Sequence, residues 1–190
     1  MTEASVTVRT GSEVSNAPSV SVIMPAYNVA SLISEGLDSV FAQTYRDFEV
    51  IVINDGSPDT EALERSLRPY LQRIVYIEQE NRGAAGARNT GIHQARGEFL
   101  AFLDSDDGWA PEYLASQMKL FEQTPSLDVV YSNSFYYPAS LSPGKTYMDA
   151  CPSHGPVTLE ALILEQCHVC VSCTVARKQT ISRPVTKCTL

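Results

Sequence analysis

Long hydrophobic runs are absent from this chain of 190 residues. No stretch is long enough to span a membrane. Residues 1–19, MTEASVTVRTGSEVSNAPS, also lack the apolar core that a signal peptide carries. We therefore expect a cytoplasmic protein without a membrane span, and a peripheral position at the inner face of a membrane is compatible with that expectation.

Basic residues are scarce as well. The chain has 14 Lys and Arg against 22 Asp and Glu, which gives a formal net charge of −8. This balance argues against nucleic acid or an anionic membrane surface as the main partner, because both attract cationic proteins. The hydrophobic share of 44% and the charged share of 19% are ordinary for a globular protein. The length suffices for one domain with a proper core, or for one domain and part of another.

Cysteine is missing from residues 1–150, and all five cysteines follow: Cys151, Cys167, Cys170, Cys173 and Cys188. An odd count without a secretory signal argues against a disulfide framework. The run CHVCVSC, which includes His168, leaves a zinc or iron–sulfur site as one alternative. Its continuation, VCVSCTVA, is β-branched and strand-like, which favours small buried thiols in a core.

From Ser19 onwards, apolar segments typical of buried strands alternate with segments of helical periodicity. The predicted strands are 19–25, 48–55, 73–79, 98–104 and 127–137, and the predicted helices include 30–43, 83–95 and 111–123. Strands that are apolar on both faces and alternate with helices indicate a mostly parallel sheet with helices on both faces, an α/β fold. Residues 1–18, rich in Ser, Thr and Glu, are predicted to form a flexible tail.

Polar segments, two of which contain glycine, follow the predicted strands at one and the same end. They are PAYN (25–28), NDGS (54–57), ENRG (80–83) and DSDD (104–107). One such segment is ordinary turn chemistry. In parallel α/β sheets, however, ligands bind beyond the carboxyl ends of the strands. Four such segments in register therefore predict a binding site.

Three carboxylates, Asp104, Asp106 and Asp107, come directly after the apolar segment EFLAFL. Like charges this close repel, so they must face water or share a cation. Two oxygen ligands spaced as in Asp104-x-Asp106 suit Mg²⁺ or Mn²⁺, which take their other ligands from water and from substrate phosphates. No His or Cys accompanies them, which argues against zinc. The alternative is a solvated loop in which one Asp caps the next helix.

A ligand with phosphates must also be held at its other end. Asp55 ends a predicted central strand, where its carboxylate could accept N–H bonds from a nucleobase. Arg88 follows one helical turn after Arg82-Gly83, and could reach a phosphate or stack beside a base. Residues 84–87, AAGA, leave room for a ligand at a helix start that favours anions. Tight packing of the helix on the sheet explains these small residues equally well.

Four motifs in this order closely resemble the family 2 glycosyltransferases of the GT-A fold: VSVIMPAYN, FEVIVINDGSPD, ENRGAAGARNTGI and GEFLAFLDSDDGWAPEYL. They cover roughly Ser19 to Phe121, and HGPVTLEALILEQCHVCVSCTVARKQTI resembles the helix and basic strand that follow in the family. The resemblance implies transfer of a sugar from a nucleotide diphosphate donor, usually a UDP-sugar, to a hydroxyl of a carbohydrate or lipid-linked acceptor. It also implies a nucleotide-sugar-binding GT-A subdomain over 19–135 and a partial acceptor-side region over 136–190.

The resemblance assigns the base-binding residues position by position. It implies that Pro25, Ala26 and Tyr27 line the base pocket and that Asp55 hydrogen-bonds the uracil edge. Arg88 would contact the nucleotide.

The same comparison implies a cation site. Asp104 would lie by the ribose and the metal, and Asp106 would coordinate Mn²⁺ or Mg²⁺ that bridges the two phosphates. The cation would stabilise charge on the departing diphosphate. Trp109 and Pro111 would shape the entrance near the sugar.

Inverting members of this family need a general base that deprotonates the acceptor hydroxyl. In the family, that carboxylate lies in an acidic motif well beyond the metal-binding motif. Here the last residues, SRPVTKCTL, contain no carboxylate, and Glu160 and Glu165 precede the strand where the segment should begin. We therefore assign no base, and expect a nucleotide-sugar-binding half with an incomplete acceptor half. Such a chain would bind UDP with metal but transfer sugar poorly or not at all alone.

An incomplete acceptor half would leave apolar side chains without packing partners, namely Ile163, Val169, Val171 and Val175. We expect local disorder or self-association there. A catalytically inactive nucleotide-sugar-binding module or fragment is the alternative to an enzyme.

Two other enzyme classes are disfavoured by the order of the motifs. A nucleotidyltransferase would need a glycine-rich basic loop after the first strand, where this chain has PAYNVASL. A haloacid-dehalogenase-type phosphatase places its Asp-x-Asp after the first strand, whereas here that motif follows the fourth.

Overall fold

The computed structural model describes residues 6–136, 144–153 and 169–181. Within these residues, seven strands form one sheet in the order β1-β4-β3-β2-β5-β7-β6. The strands are β1 (Thr7–Thr10), β2 (Val20–Ala26), β3 (Phe48–Asp55), β4 (Ile74–Gln79), β5 (Phe99–Phe102), β6 (Val129–Tyr131) and β7 (Thr174–Arg177).

The four central strands, β4, β3, β2 and β5, are parallel to one another. β1 and β7 pair antiparallel at the two sides, and β6 pairs antiparallel with β7, so β6 runs in the direction of the central strands. The predicted α/β class with a mostly parallel sheet is therefore confirmed.

Helices cover both faces of the sheet, as predicted. They are α1 (Ile33–Phe41), α2 (Thr60–Leu67), α3 (Gly83–Gln94), α4 (Tyr113–Gln123) and the short α5 (Tyr147–Ala150). Turns of 3-10 helix at Arg68–Tyr70 and Val171–Cys173, and a last helical turn at Lys178–Ile181, complete the described elements. In this part of the chain, no helix is both long and apolar enough to cross a membrane.

Two apolar clusters form the core, one on each face. α1, α2 and α4 pack on one face, against β2 residues such as Val22 and Met24. α3 packs on the other face, where Ile23 of β2 is buried. Successive residues of a strand point to opposite faces, so both faces of β2 are covered, which is why its sequence is almost continuously apolar.

The first strand corrects the prediction of a flexible tail over 1–18. Thr7 to Thr10 pair antiparallel with β4, with Thr7 opposite Glu78. Arg9 forms an ion pair with Glu64 of α2, and its guanidinium lies 4.8 Å from the ring centre of Tyr76. The prediction is wrong for this segment, because TVRT is β-branched enough to add an exposed edge strand.

The two strands nearest the end of the described chain also differ from expectation. β6 covers Val129–Tyr131, which is shorter than the predicted 127–137. The strand-like segment VSCTVA begins as a 3-10 turn, and only Thr174–Arg177 forms β7. Val175 is fully buried in the core between β5 and β6, so the expectation that it loses its packing partners is wrong. Ile163 lies outside the described residues.

Candidate functional site

A cavity of about 470 Å³ opens at the carboxyl edge of the central strands. Segments that follow β2, β3, β4 and β5 all contribute to its wall, as the register of polar segments predicts. The predicted site residues that line it are Pro25, Ala26, Tyr27, Asp55, Arg88, Asp104 and Asp106.

Asp55 closes one end of the cavity from the last position of β3. It is buried, with 2% of its surface exposed. Its Oδ1 accepts a hydrogen bond from Gln79 Nε2 at 2.6 Å and another from the Arg82 backbone N–H at 2.9 Å. Its Oδ2 accepts none from the described part of the chain, so this oxygen is free to accept from a ligand.

The loop after β2 is held in place by the loop after β3. Asn28 has a left-handed backbone, with φ of 57°, and its N–H donates to Ser57 Oγ at 2.7 Å. Ala30 N–H donates to Asp59 Oδ2 at 2.9 Å. Tyr27 remains about half exposed beside the cavity. An exposed aromatic ring on an anchored loop provides a flat surface on which a base can stack.

The other end of the cavity carries the acidic segment after β5. Arg88 Nη2 lies 2.5 Å from Asp104 Oδ1. The Asp106 carboxylate is exposed and has no hydrogen-bond or ion-pair partner among the described residues. Ser105 donates its hydroxyl proton to the carbonyl of Pro25, which joins this segment to the loop after β2.

The amino end of α3 forms the wall between these two ends. Gly83 begins the helix with φ of 71°, a conformation that favours glycine. The side chain of the N-cap residue Arg82 makes no capping bond, although the N–H of Gly83 donates to Asn81 Oδ1 at 3.1 Å. Ala84 and Ala87 face the cavity. Unpaired N–H groups at such a helix start favour an anion.

Comparison with known proteins decides which family this site belongs to. The sequence model of the Glycosyl transferase family 2 matches residues 21–181. The chain belongs to glycosyl transferase family 2.

Individual relatives agree with this assignment. The glycosyltransferase GlyA of Streptococcus pneumoniae is 37% identical over 129 residues, which are 67% of this chain and 18% of GlyA. A mannosyltransferase of Pyrobaculum calidifontis, solved with GDP-Man and Mn²⁺, is 35% identical, with a TM-score of 0.55 over 63% of this chain and 36% of its own. Residues 1–349 of S. aureus TarS, solved with UDP, are 34% identical, with a TM-score of 0.51 over 58% of this chain and 33% of their own. The chain thus spans less than half the length of each.

The fold is accordingly the GT-A fold of family 2 glycosyltransferases, as the motifs predict. Within it, a divalent cation is the group that the acidic segment could hold. Asp106 and the second oxygen of Asp104 offer oxygen ligands without protein partners in the described residues, at the cavity wall. No group of three or more His, Cys, Asp or Glu side chains there could hold an ion alone. This donor set fits Mg²⁺ or Mn²⁺, which complete their coordination with water and phosphate oxygens.

Trp109 corrects one prediction about the family 2 site. It was expected at the entrance near the sugar, but only 8% of its surface is exposed and it does not line the cavity. Its Nε1 donates to the carbonyl of Ser172 at 2.7 Å, and its ring packs at 4.6 Å from that of Tyr113. Trp109 therefore braces the acidic segment from within the core. Pro111 lies on the exposed side of the same segment.

The cysteine-rich segment supplies a residue that sequence reasoning missed. Ser172 Oγ accepts the backbone N–H of Asp104 at 3.0 Å, so the turn at Val171–Cys173 supports the acidic segment. Cys173 is buried, as predicted for a core thiol, and burial raises its pKa to about 12. Cys167 and His168, which the alternative metal site would need, lie outside the described residues.

Sequence reasoning also missed Gln79 and Thr90, which do not line the cavity but are linked to Asp55 by hydrogen bonds behind it. Gln79 is the last residue of β4, directly before the polar segment ENRG. Its place in a predicted strand made it look like part of the sheet, although its register opposite Asp55 was a usable signal. The candidate acids Glu160 and Glu165 lie outside the described residues.

Proposed function

We propose that the cavity binds a nucleotide diphosphate sugar, most simply a UDP-sugar, together with Mn²⁺ or Mg²⁺. The observation that carries this proposal is that one cavity joins Asp55 at one end to Arg88, Asp104 and Asp106 at the other. A nucleoside diphosphate requires a hydrogen-bond acceptor for its base at one end. At the other end it requires an arginine and carboxylates that can hold a metal cation against its phosphates. The solved relatives with GDP-Man and Mn²⁺ and with UDP support a ligand of this class.

At the base end, Asp55 Oδ2 would accept an N–H of the nucleobase. Tyr27 would stack on the base, and Pro25 and Ala26 would line the pocket below it. The hydrogen-bonded loops that carry these residues hold the pocket open in advance, which lowers the entropic cost of binding.

At the phosphate end, Asp106 and Asp104 would hold the cation and Arg88 would donate to a phosphate oxygen. When bound, the cation would supply electrostatic stabilisation of the negative charge on the departing diphosphate. Arg88 already lies against Asp104, with its Nε buried and unpaired among the described residues. A phosphate oxygen within its reach would satisfy that donor.

The acceptor side is proposed from the family alone. It would be a hydroxyl of a carbohydrate or a lipid-linked carbohydrate, and transfer would proceed with inversion. We assign no general base among the described residues.

Calorimetric titration of UDP, with and without Mn²⁺, tests the donor site. We expect binding that requires Mn²⁺ and weakens by about ten-fold or more in Asp106→Asn, since the substitution removes a charged cation ligand. Asp128→Asn is the matched control, because Asp128 is an exposed acid that does not line the cavity. Equal UDP affinity in wild type, Asp106→Asn and Asp128→Asn would contradict the proposed cation site.

A further inference from the structure

The carboxylate of Asp55 is oriented by a buried amide. β3 and β4 end side by side, and Asp55 pairs in register with Gln79. Gln79 is 3% exposed, and its Nε2 donates to Asp55 Oδ1 at 2.6 Å. The backbone N–H of Arg82 donates to the same oxygen. Because both donors use Oδ1, the plane of the carboxylate is fixed and Oδ2 is left for a ligand.

The amide of Gln79 is in turn oriented by Thr90 of α3. A carboxylate oxygen only accepts, so the amide nitrogen must face Asp55 and the amide oxygen must face Thr90. The Thr90 hydroxyl lies 2.6 Å from Gln79 Oε1 and 3.2 Å from the carbonyl of Gly86. A hydroxyl has one proton to donate, and the shorter contact takes it. The hydrogen bonds therefore run in one direction, from Thr90 to Gln79 to Asp55.

This chain of hydrogen bonds connects the two ends of the cavity through one helix. Thr90 and Arg88 both lie on α3, and Arg88 contacts Asp104 at the opposite end. Arg82, whose N–H reaches Asp55, immediately precedes the same helix. The position of α3 thus determines the positions of both the Asp55 carboxylate and the Arg88 guanidinium.

We propose that Gln79, oriented by Thr90, is a positioning residue for nucleobase recognition. It holds Asp55 so that Oδ2 meets an N–H on the edge of the base, as the N3–H of uracil offers. This inference rests on the proposed function of the cavity. An uncharged amide suits the task because its nitrogen donates to the carboxylate while its oxygen accepts from Thr90; a glutamate would place a second carboxylate against Asp55.

Gln79→Met tests the inference, because methionine has a similar shape and no donor. We expect UDP affinity, measured with Mn²⁺ by calorimetry, to fall by about ten-fold through loss of one charge-assisted hydrogen bond. Affinity for pyrophosphate with Mn²⁺ should not change, because pyrophosphate has no base. Gln117→Met is the matched control: Gln117 is also a buried glutamine, but it lies on α4 away from the cavity.

Thr90 supplies a second and milder test, which stands even if Gln79→Met fails to fold. Thr90→Val should weaken UDP binding by about three-fold, and Thr90→Ser, which keeps the hydroxyl, should bind as wild type does. In the Gln79→Met background, Thr90→Val should have no further effect, because the two residues act in series.

Three results would overturn the positioning role: UDP affinity in Gln79→Met equal to that in Gln117→Met, an equal loss for pyrophosphate, or equal affinities for Thr90→Val and Thr90→Ser. If wild type binds UDP and Asp55→Asn weakens that binding while Gln79→Met does not, only the positioning role fails. If wild type binds neither UDP nor GDP with Mn²⁺, the proposed function and the positioning role fail together.

Discussion

At the scale of single residues, Trp109 shows how a core side chain can support a binding site without touching its ligand. Its indole N–H donates to the carbonyl of Ser172, and the hydroxyl of Ser172 accepts the backbone N–H of Asp104. The backbone N–H of Trp109 also donates to Ser39 Oγ at 3.1 Å. Three elements of the chain are thereby joined behind the acidic segment.

Trp109→Phe should lower the free energy of unfolding by about 1–3 kcal/mol, because it leaves the buried carbonyl of Ser172 without its donor and shrinks a core side chain. UDP affinity should change by less than about three-fold, since Trp109 does not line the cavity. Denaturant unfolding and calorimetry measure the two quantities.

Tyr113→Phe is the control for this substitution. The Tyr113 ring packs on Trp109, but its buried hydroxyl finds no partner among the described residues, so its removal should leave stability unchanged or raise it slightly. A large loss of UDP affinity in Trp109→Phe, with unchanged stability, would instead show that Trp109 contacts the ligand.

Whether a site residue could be predicted from the sequence depends on its structural role. Asp55 and Asp106 stand out in sequence because charged residues at the carboxyl ends of parallel strands are typical of binding sites, and Arg88 stands out as a cation in the helix that follows such an end. Trp109 beside the same motif looked like a ligand contact, since only the packed structure distinguishes a buried aromatic ring from an exposed one. Gln79 was missed because its importance depends on its pairing with Asp55 on the adjacent strand, although a usable signal was that both residues end predicted strands.

At the scale of elements, α3 connects the sheet to both ends of the cavity, and its closeness to the sheet makes this possible. A Cβ at Gly91 would lie 2.6 Å from Ile23 Cγ2 and 3.0 Å from Ile53 Cδ1. Real Cβ atoms do not come that close, so glycine is needed here for packing. The alternatives of tight packing and room for a ligand were considered for residues 84–87, which do not include Gly91. Among those residues, Ala87 is fully buried in the core of this face and also lines the cavity.

Gly91→Ala should destabilise the protein by about 1–3 kcal/mol, although alanine is the better helix former by about 1 kcal/mol. We expect the overlap with Ile23 and Ile53 to outweigh the gain in propensity, because both isoleucines are fully buried and any shift of either disturbs the packed core around it. Asn89→Ala, on the exposed side of the same helix, is the control and should be neutral or slightly stabilising. Thermal melts of both variants test this prediction. A raised melting temperature for Gly91→Ala would contradict the proposal that close packing of α3 on the sheet requires glycine at this position.

Elements with a strong apolar pattern were predicted with their bounds nearly intact, and elements without one were not. β3 occupies the predicted residues 48–55, since an apolar run followed by Gly-Ser-Pro predicts a buried strand that ends at a turn. β1 was missed because all four of its residues are exposed, so its pattern carries no burial signal. The insertion of β7 between β5 and β6 was not predicted either, because non-local antiparallel pairing leaves no trace in local periodicity.

At the scale of the whole molecule, the two ends of the sheet have different chemistry. The carboxyl edge carries carboxylates with oxygens that have no partner among the described residues. The amino edge instead carries a carboxylate whose two oxygens both accept hydrogen bonds from protein groups. Glu49, with its side chain fully buried, accepts from Ser21 Oγ at 2.7 Å and from the backbone N–H of Arg96 at 2.8 Å. The Arg96 guanidinium donates to the other oxygen at 2.9 and 2.6 Å. This network holds β2, β3 and the turn before β5 together at the edge away from the cavity.

Because the network is remote from the cavity, stability and nucleotide binding should be separable. Arg96→Met keeps the aliphatic stem but leaves the buried Glu49 carboxylate without its guanidinium, which should cost about 3–5 kcal/mol of unfolding free energy. Glu49→Gln in the Arg96→Met background should recover part of that loss, since a neutral amide costs less to bury unpaired than a carboxylate does. At a temperature where Arg96→Met is still folded, its affinity for UDP with Mn²⁺ should match that of wild type, because no residue of the network lines the cavity. Denaturant unfolding and calorimetry on the same samples test both halves, and a loss of UDP affinity in folded Arg96→Met would show instead that the two ends of the sheet are energetically coupled.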